Sequence, residues 1–461
     1  MKDVVVIVPG ILGSALRDKN GKEIWGPSTA GITGTILSLG QNFQRLGLPD
    51  GVGHDDPQDG IEATRLMPKM HLLPAFWKID GYGRMVEFLE QRFALSRPTP
   101  DQPGNLVLFP YDWRLSNVLN ARRLADRVTP ELERWRQHTK HRDAKLILIC
   151  HSMGGLIARW FLEVLDGGVH GRDHARKLIT IGTPYQGAMP ALERLVNGFS
   201  LGLGPLSMNL DTLVRSLPSV YQLLPTYECL DVGDGQLQAL SDVALPNVGN
   251  VNVREGISFH TQITDAVTLP SSYQTIAIKG QTQPTAQSAL LSNGMIEAIR
   301  SHKGTDHRGD GTVARPSAHP PEWADEAGVV FAAQQHPMLQ SSDSILQQLY
   351  GVLTGHLGKF MGGHEIGLDM PPLVAQGEAI QVRAFSEEPA LPLQVSIAAE
   401  DGGQTSIPVL MTVQGDGSYF AELEGVASGA YRVTVQSAAP SVPVEPVADI
   451  LLVWNEGLHA K

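Results

Sequence analysis

Cysteine is scarce in this chain. Only Cys150 and Cys229 occur in 461 residues, too few for the disulfide framework that staples many secreted domains. Basic runs are missing too. Lys and Arg number 36 against 48 Asp and Glu, a formal net charge of −12, so no nucleic acid is expected among its partners. The same balance disfavours purely electrostatic docking on anionic membranes and leaves apolar docking open. No hydrophobic run approaches the roughly 20 residues that a transmembrane helix needs. The N-terminal run at 4–8 is short, follows Asp3 and stops at Pro9-Gly10, so it reads as a strand and not as a signal sequence. A cytoplasmic setting is the expectation. There is no internal repeat and no low-complexity tract.

Between those limits the pattern is regular. Apolar runs rich in Val, Ile and Leu recur at 4–10, 105–114, 145–150, 177–184, 273–280 and 328–336, each leading into a turn. Helical spacing separates several of them, at 82–93, 121–139, 153–165 and 342–353. Strand alternating with helix predicts a parallel sheet covered on both faces. Two long stretches, about 25–78 and 188–272, interrupt the alternation, and insertions of that length are read as lids or caps. The second carries Leu201, Leu203, Leu206, Leu210, Leu213, Leu217 and Leu223, which either pack within the cap or line a groove. After Pro371-Pro372 helical spacing disappears, and short alternating strands follow, two of them joined by Gly415-Asp416-Gly417. They predict an all-β, immunoglobulin-like sandwich over 371–461, behind an α/β domain over 1–368.

Residues 146–162 read LILICHSMGGLIARWFL. An apolar strand meets a helix with room for one sharp turn, and Ser152 stands at its apex. This is the context of a nucleophile elbow, which lifts a serine hydroxyl off a sheet and aims a helix N-terminus at the reacting carbonyl. Cys150 stands where that motif has its first Gly, and the competing reading is a plain helix cap. A serine nucleophile needs a base and a group that orients the base, and in this architecture they follow in the order Ser, Asp or Glu, His. Asp310, in Gly309-Asp310-Gly311-Thr312-Val313, and His336, after the last apolar strand, fit that order. Asp306 competes with Asp310. His151 is expected to be structural. The set His302, Asp306, His307 and Asp310 fits no standard zinc spacing, and neither metal nor cofactor is expected. For an oxyanion site, the N–H of Met153 follows the nucleophile, and the Gly-rich loop after the first strand offers Ile11, with Leu12 next.

These motifs resemble the lecithin:cholesterol acyltransferase family, which includes lysosomal phospholipases and bacterial relatives. The resemblance lies in VPGILGS (8–14), DGYGRM (80–85), PYDWRL (110–115), HSMGGL (151–156), GTPYQGA (182–188), GDGTV (309–313) and the segment around His336. It spans about residues 4–355 and implies an α/β hydrolase that cleaves or transfers acyl chains through an acyl-serine. Carried over, it supports Ser152, Asp310 and His336 as the catalytic residues and Ile11 and Met153 as oxyanion donors. Leu12, Trp113 and Tyr185 are candidates for contact with substrate. The substrate expected is a lipid or long-acyl ester, with room for transient membrane-surface contact and for a protein partner at the C-terminal sandwich. Secreted members staple the lid with a disulfide, and 25–78 has no cysteine. Two other readings stay open at this point: an inactive hydrolase-fold binding module, and an effector switched on by a partner.

Overall fold

The computed structural model describes residues 1–26, 45–49, 51–68, 71–73, 77–165, 169–201, 208–324, 328–355, 363–400, 406 and 408–455. At its centre six strands pair in parallel: β1 Val4–Val8, β2 Leu106–Leu108, β3 Leu146–His151, β4 Ala175–Ile181, β5 Gln274–Gly280 and β6 Val329–Ala332. Their spatial order is β6-β5-β4-β3-β1-β2. β1 and β3 are buried along their whole length, which is why both read as unbroken apolar runs. In register, Val4 to Val8 face Leu146 to Cys150.

Helices α1 Gly83–Arg92, α2 Asn117–Thr139, α3 Met153–Arg159, α4 Met189–Asn197, α5 Asn250–Ala266 and α6 Asp343–Thr354 accompany the sheet. α2 begins at Asn117, ahead of the expected 121, because the Ser116 side chain caps it by accepting from the Val118 N–H at 3.2 Å. Ser342 caps α6 in the same way. α3 is shorter than its apolar spacing implies and passes into a π-helical turn at Trp160–Val164. Among the described residues no helix is long and apolar enough to cross a membrane.

The insertion at 188–272 contains α4, α5 and two short helices, Asp211–Ser216 and Pro218–Tyr221. Leu210, Leu213, Leu217 and Leu223 all pack into the main core, so these four line no groove. Leu203 and Leu206 lie outside the described residues. Of the insertion at 25–78, residues 27–44, 50, 69–70 and 74–76 are also outside them. Its described part returns as a strand, Glu62–Leu66, antiparallel to Ser14–Arg17. Buried Arg114 fixes it by reaching Asp59 at 2.8 Å while pairing with Asp112.

Two further sheets follow. Strands β7 Gly367–Asp369, β8 Leu373–Ala375, β9 Ile380–Phe385, β10 Leu393–Ala399, β11 Val409–Leu410, β12 Thr412–Val413, β13 Tyr419–Leu423, β14 Gly429–Ser437 and β15 Val447–Trp454 form the orders β7-β9-β13-β12 and β8-β15-β14-β10-β11. Val382, Tyr419, Val433, Val435 and Leu451 share one core between them. The opposite side of β14 and β15 presents Ala430, Ile450, Leu452 and Trp454 to the core of the parallel sheet. Arg432, on the same side as Ala430, pairs with Asp80 and, at 2.8 Å, with Glu400.

Candidate active site

β3 ends at His151, and the chain turns at once into α3. Ser152 takes φ 51° and ψ −127° at that turn, a backbone that non-glycine residues rarely adopt. Its side chain makes no helix-capping bond, which removes the cap reading. The turn is locked by its backbone: the Ser152 N–H donates to Ile181 O at 2.8 Å, and Ser152 O accepts from Thr183 Oγ1 at 2.9 Å. The glycines after it allow a close fit, since a Cβ on Gly154 would lie 2.3 Å from Pro9 O. Cys150, in place of the motif's first glycine, is fully buried in β3 opposite Thr180.

Three loops at the C-terminal ends of the strands converge on the Ser152 hydroxyl. His336, after β6, places Nε2 at 2.9 Å from Ser152 Oγ. Its Nδ1 meets Asp310 Oδ2 at 2.7 Å. Asp310 is fully buried, and its other oxygen accepts from the N–H groups of Thr312 and Val313 at 2.9 and 2.7 Å. The loops are tied by backbone as well, with the His336 N–H donating to Asp310 O at 2.7 Å. Asp306 stands apart, bonded to Gln287 and Arg308. His302 and His307 engage Glu228 O and Gln287.

His151 is buried beneath this group. Its Nε2 lies 3.3 Å from His336 O, and its Nδ1 lies 2.8 Å from the Tyr82 hydroxyl. Burial, reinforced by the neighbouring His336, holds its imidazole well below the usual range, so it is neutral. A carbonyl can only accept, so the single ring proton belongs on Nε2.

The loop after β1 completes the arrangement. Leu12 has φ 63°. Leu12 O accepts from Trp25 Nε1 at 3.0 Å, and Ser14 O accepts from Trp113 Nε1 at 3.2 Å. Among the described residues, the N–H groups of Ile11, Leu12 and Met153 have no acceptor. Trp113 and Tyr185 are buried in packing: Trp113 meets Trp25 edge-on, and the Tyr185 hydroxyl pairs with Thr180 Oγ1 at 2.9 Å under the Arg159 guanidinium. Neither bonds Ser152, Asp310 or His336.

A cavity of about 260 Å³ opens beside His336. Pro284, Leu368, Met370 and Pro372 give it apolar wall, and Arg194 and Arg300 give it charge. The strand β7 supplies Leu368, a contribution that sequence reasoning missed. Gln283, also missed, explains how β7 is held: fully buried, it accepts from the Leu368 N–H at 2.8 Å and from Gln335 Nε2 at 3.0 Å.

Residues 101–299 match the family model of lecithin:cholesterol acyltransferase. This segment is lecithin:cholesterol acyltransferase-like. The match includes Ser152 and stops short of Asp310 and His336. The chain is 24% identical over 212 residues to a phospholipid:diacylglycerol acyltransferase of Schizosaccharomyces pombe, covering 42% of this chain and 32% of that one. It is 30% identical over 183 residues to an uncharacterized protein of Saccharomyces cerevisiae, covering 40% of this chain and 23% of the other. It therefore spans less than a third of the length of either curated relative. Among solved structures it is similar to phospholipase PlaB from Legionella pneumophila, at 11% identity and a TM-score of 0.32, with 80% of this chain and 86% of that chain covered.

Proposed function

We propose that the chain is a serine carboxylic-ester hydrolase of acyl lipids, phospholipase- or lipase-like, working through an acyl-Ser152 intermediate. The observation that carries this reading is the run of short contacts from Ser152 Oγ to His336 to Asp310, built on a strained turn. As Ser152 Oγ attacks the ester carbonyl carbon, His336 Nε2 takes its proton, and Asp310 holds the opposite ring nitrogen. The developing oxyanion is met by the N–H groups of Ile11 and Met153. Collapse breaks the bond to the alkoxy group, which leaves with the proton from His336. Water then gives a proton to His336 and attacks the acyl carbon, and the fatty acid departs as Ser152 regains its hydrogen. An alcohol in place of that water makes the same step a transfer.

The mix of apolar wall and arginine beside His336 suits a phosphate-bearing acyl lipid, and the S. pombe relative's name supports the same lipid class. We read the C-terminal pair of sheets as immunoglobulin-like. The direct test is a fluorophosphonate probe, which labels wild type and not Ser152→Ala; equal labelling would remove Ser152 from the mechanism. For the substrate, kcat/KM across p-nitrophenyl esters should rise with chain length, each newly buried methylene lowering the barrier by roughly 0.8 kcal/mol. A steady decline from acetyl onward would leave a small-ester hydrolase instead.

A further inference from the structure

Two motifs of the sequence, DGYGRM and PYDWRL, have no part in the proposed chemistry so far. Their tyrosines meet at one peptide bond. Tyr111 donates its hydroxyl proton to Pro9 O at 3.0 Å. Tyr82 Oη accepts from the Gly10 N–H at 2.7 Å. Pro9 C=O and Gly10 N–H are the two ends of the same peptide group, and that group immediately precedes Ile11. Both tyrosines are buried. Burial raises both phenols far above their ordinary value, so each hydroxyl keeps its proton.

The Tyr82 proton has a destination. Because His151 carries its own proton on Nε2 toward His336 O, its bare Nδ1 accepts from Tyr82. A continuous line of buried bonds thus runs from Gly10 through Tyr82 and His151 to the backbone of His336. The peptide so held is also pressed on the nucleophile, since a Cβ on Gly10 would lie 2.9 Å from Ser152 Cβ.

We infer that the Tyr82 and Tyr111 hydroxyls clamp the Pro9–Gly10 peptide so that the Ile11 N–H faces the oxyanion formed at Ser152, which makes both tyrosines positioning residues. A planar peptide fixed at both ends cannot rotate about the chain, and the next one, which carries the Ile11 N–H, is tied at its carbonyl, where Gly10 O accepts from the Gly13 N–H at 3.0 Å. Loss of either hydroxyl frees that rotation and leaves a buried partner unsatisfied. The inference rests on the ester-cleaving reading above.

The test replaces each tyrosine with Phe, which keeps the ring and deletes only the hydroxyl. Tyr82→Phe and Tyr111→Phe should lower kcat on a long-acyl ester by roughly tenfold to a hundredfold, with KM held within about twofold. Affinity for a trifluoromethyl ketone, whose adduct on Ser152 carries the oxyanion, should fall in parallel. Tyr82→Phe should also speed hydrogen exchange at the Gly10 amide while β1 stays protected. Tyr419→Phe, which deletes a buried hydroxyl bonded to Leu391 N–H in the C-terminal sheets, should leave kcat unchanged. If Tyr82→Phe yields too little folded chain, His151→Gln disturbs the line at the Tyr82 hydroxyl's acceptor while keeping both tyrosines in the chain, and should lower kcat with KM retained. Wild-type kcat and ketone affinity in folded Phe variants would overturn the clamp. If the wild type cleaves no ester and takes no probe at Ser152, the ester reading fails, while the Gly10 exchange rate still decides whether the peptide is clamped.

Discussion

Asp310 divides its two oxygens between different tasks. One is held by the backbone N–H groups of Thr312 and Val313, and the other faces His336. An amide in its place must keep its oxygen toward those backbone donors, so its NH2 faces the imidazole and leaves it in the wrong tautomer. Asp310→Asn should therefore cut turnover on the order of a thousandfold or more. Asp306→Asn should leave turnover near wild type, and the reverse ranking in steady-state assays would exchange their roles. The floor under Asp310 is Gly280, where a Cβ would lie 2.4 Å from Asp310 Cβ. Gly280→Ala must push the loop away, costing on the order of 1–3 kcal/mol in chemical denaturation along with much of the turnover. Unchanged stability and kcat would show that the loop yields freely. The convergence of Ser152, Asp310 and His336 could be read from local context and chain order. The contacts of Tyr82 and Tyr111 could not, because each partner lies far away in sequence, 72 residues for Tyr82 to Gly10 and 102 for Tyr111 to Pro9.

Among the elements, α5 shows how an insertion is held over the sheet. Phe259 stacks on Trp160 at 5.1 Å, and His260 sets Nδ1 3.1 Å from Tyr185 O and Nε2 2.8 Å from Gln222 O. Two carbonyls favour a proton on each nitrogen, yet burial outweighs them and brings the imidazole down to about 4 from the ordinary 6.5. As pH falls below 6.5, the unfolded chain takes the proton first, so folded-state stability is lost between about 6.5 and about 4. The full effect is on the order of 3 kcal/mol. His260→Gln keeps a donor and cannot titrate, so the fall of Tm between pH 6.5 and 4.5 should become shallower. It should not vanish, because neutral buried His151 acts in the same direction. Equal slopes in both proteins would rule His260 out. The long elements were legible because apolar spacing repeats within them. β7 and β8 were not: three residues cannot display alternation, and β7 is placed by Gln283 and Gln335, not by its own pattern.

At the scale of the molecule, β15 is buried on both sides. Leu451 and Val453 serve the core between the C-terminal sheets, while Ile450, Leu452 and Trp454 serve the core of the parallel sheet. A strand that completes two cores couples their unfolding. Calorimetry should show one transition for the whole chain, and Leu452→Ala should lower it by the roughly 2–5 kcal/mol of a buried large-to-small change. Two separated transitions would mean that the C-terminal sheets open independently. The alternating strands of that region were readable from sequence, but their attachment was not, since a strand buried on both faces looks like any apolar run. The two cysteines lead to a practical consequence. Cys150 lies in β3 and Cys229 in the insertion, both fully buried, and burial pushes both thiols up, Cys229 to about 12. A thiol reagent therefore finds no target until the fold opens, and the wild-type chain carries two built-in clocks. Their relative rates of alkylation report whether the insertion lifts before the sheet does, with no engineered cysteine.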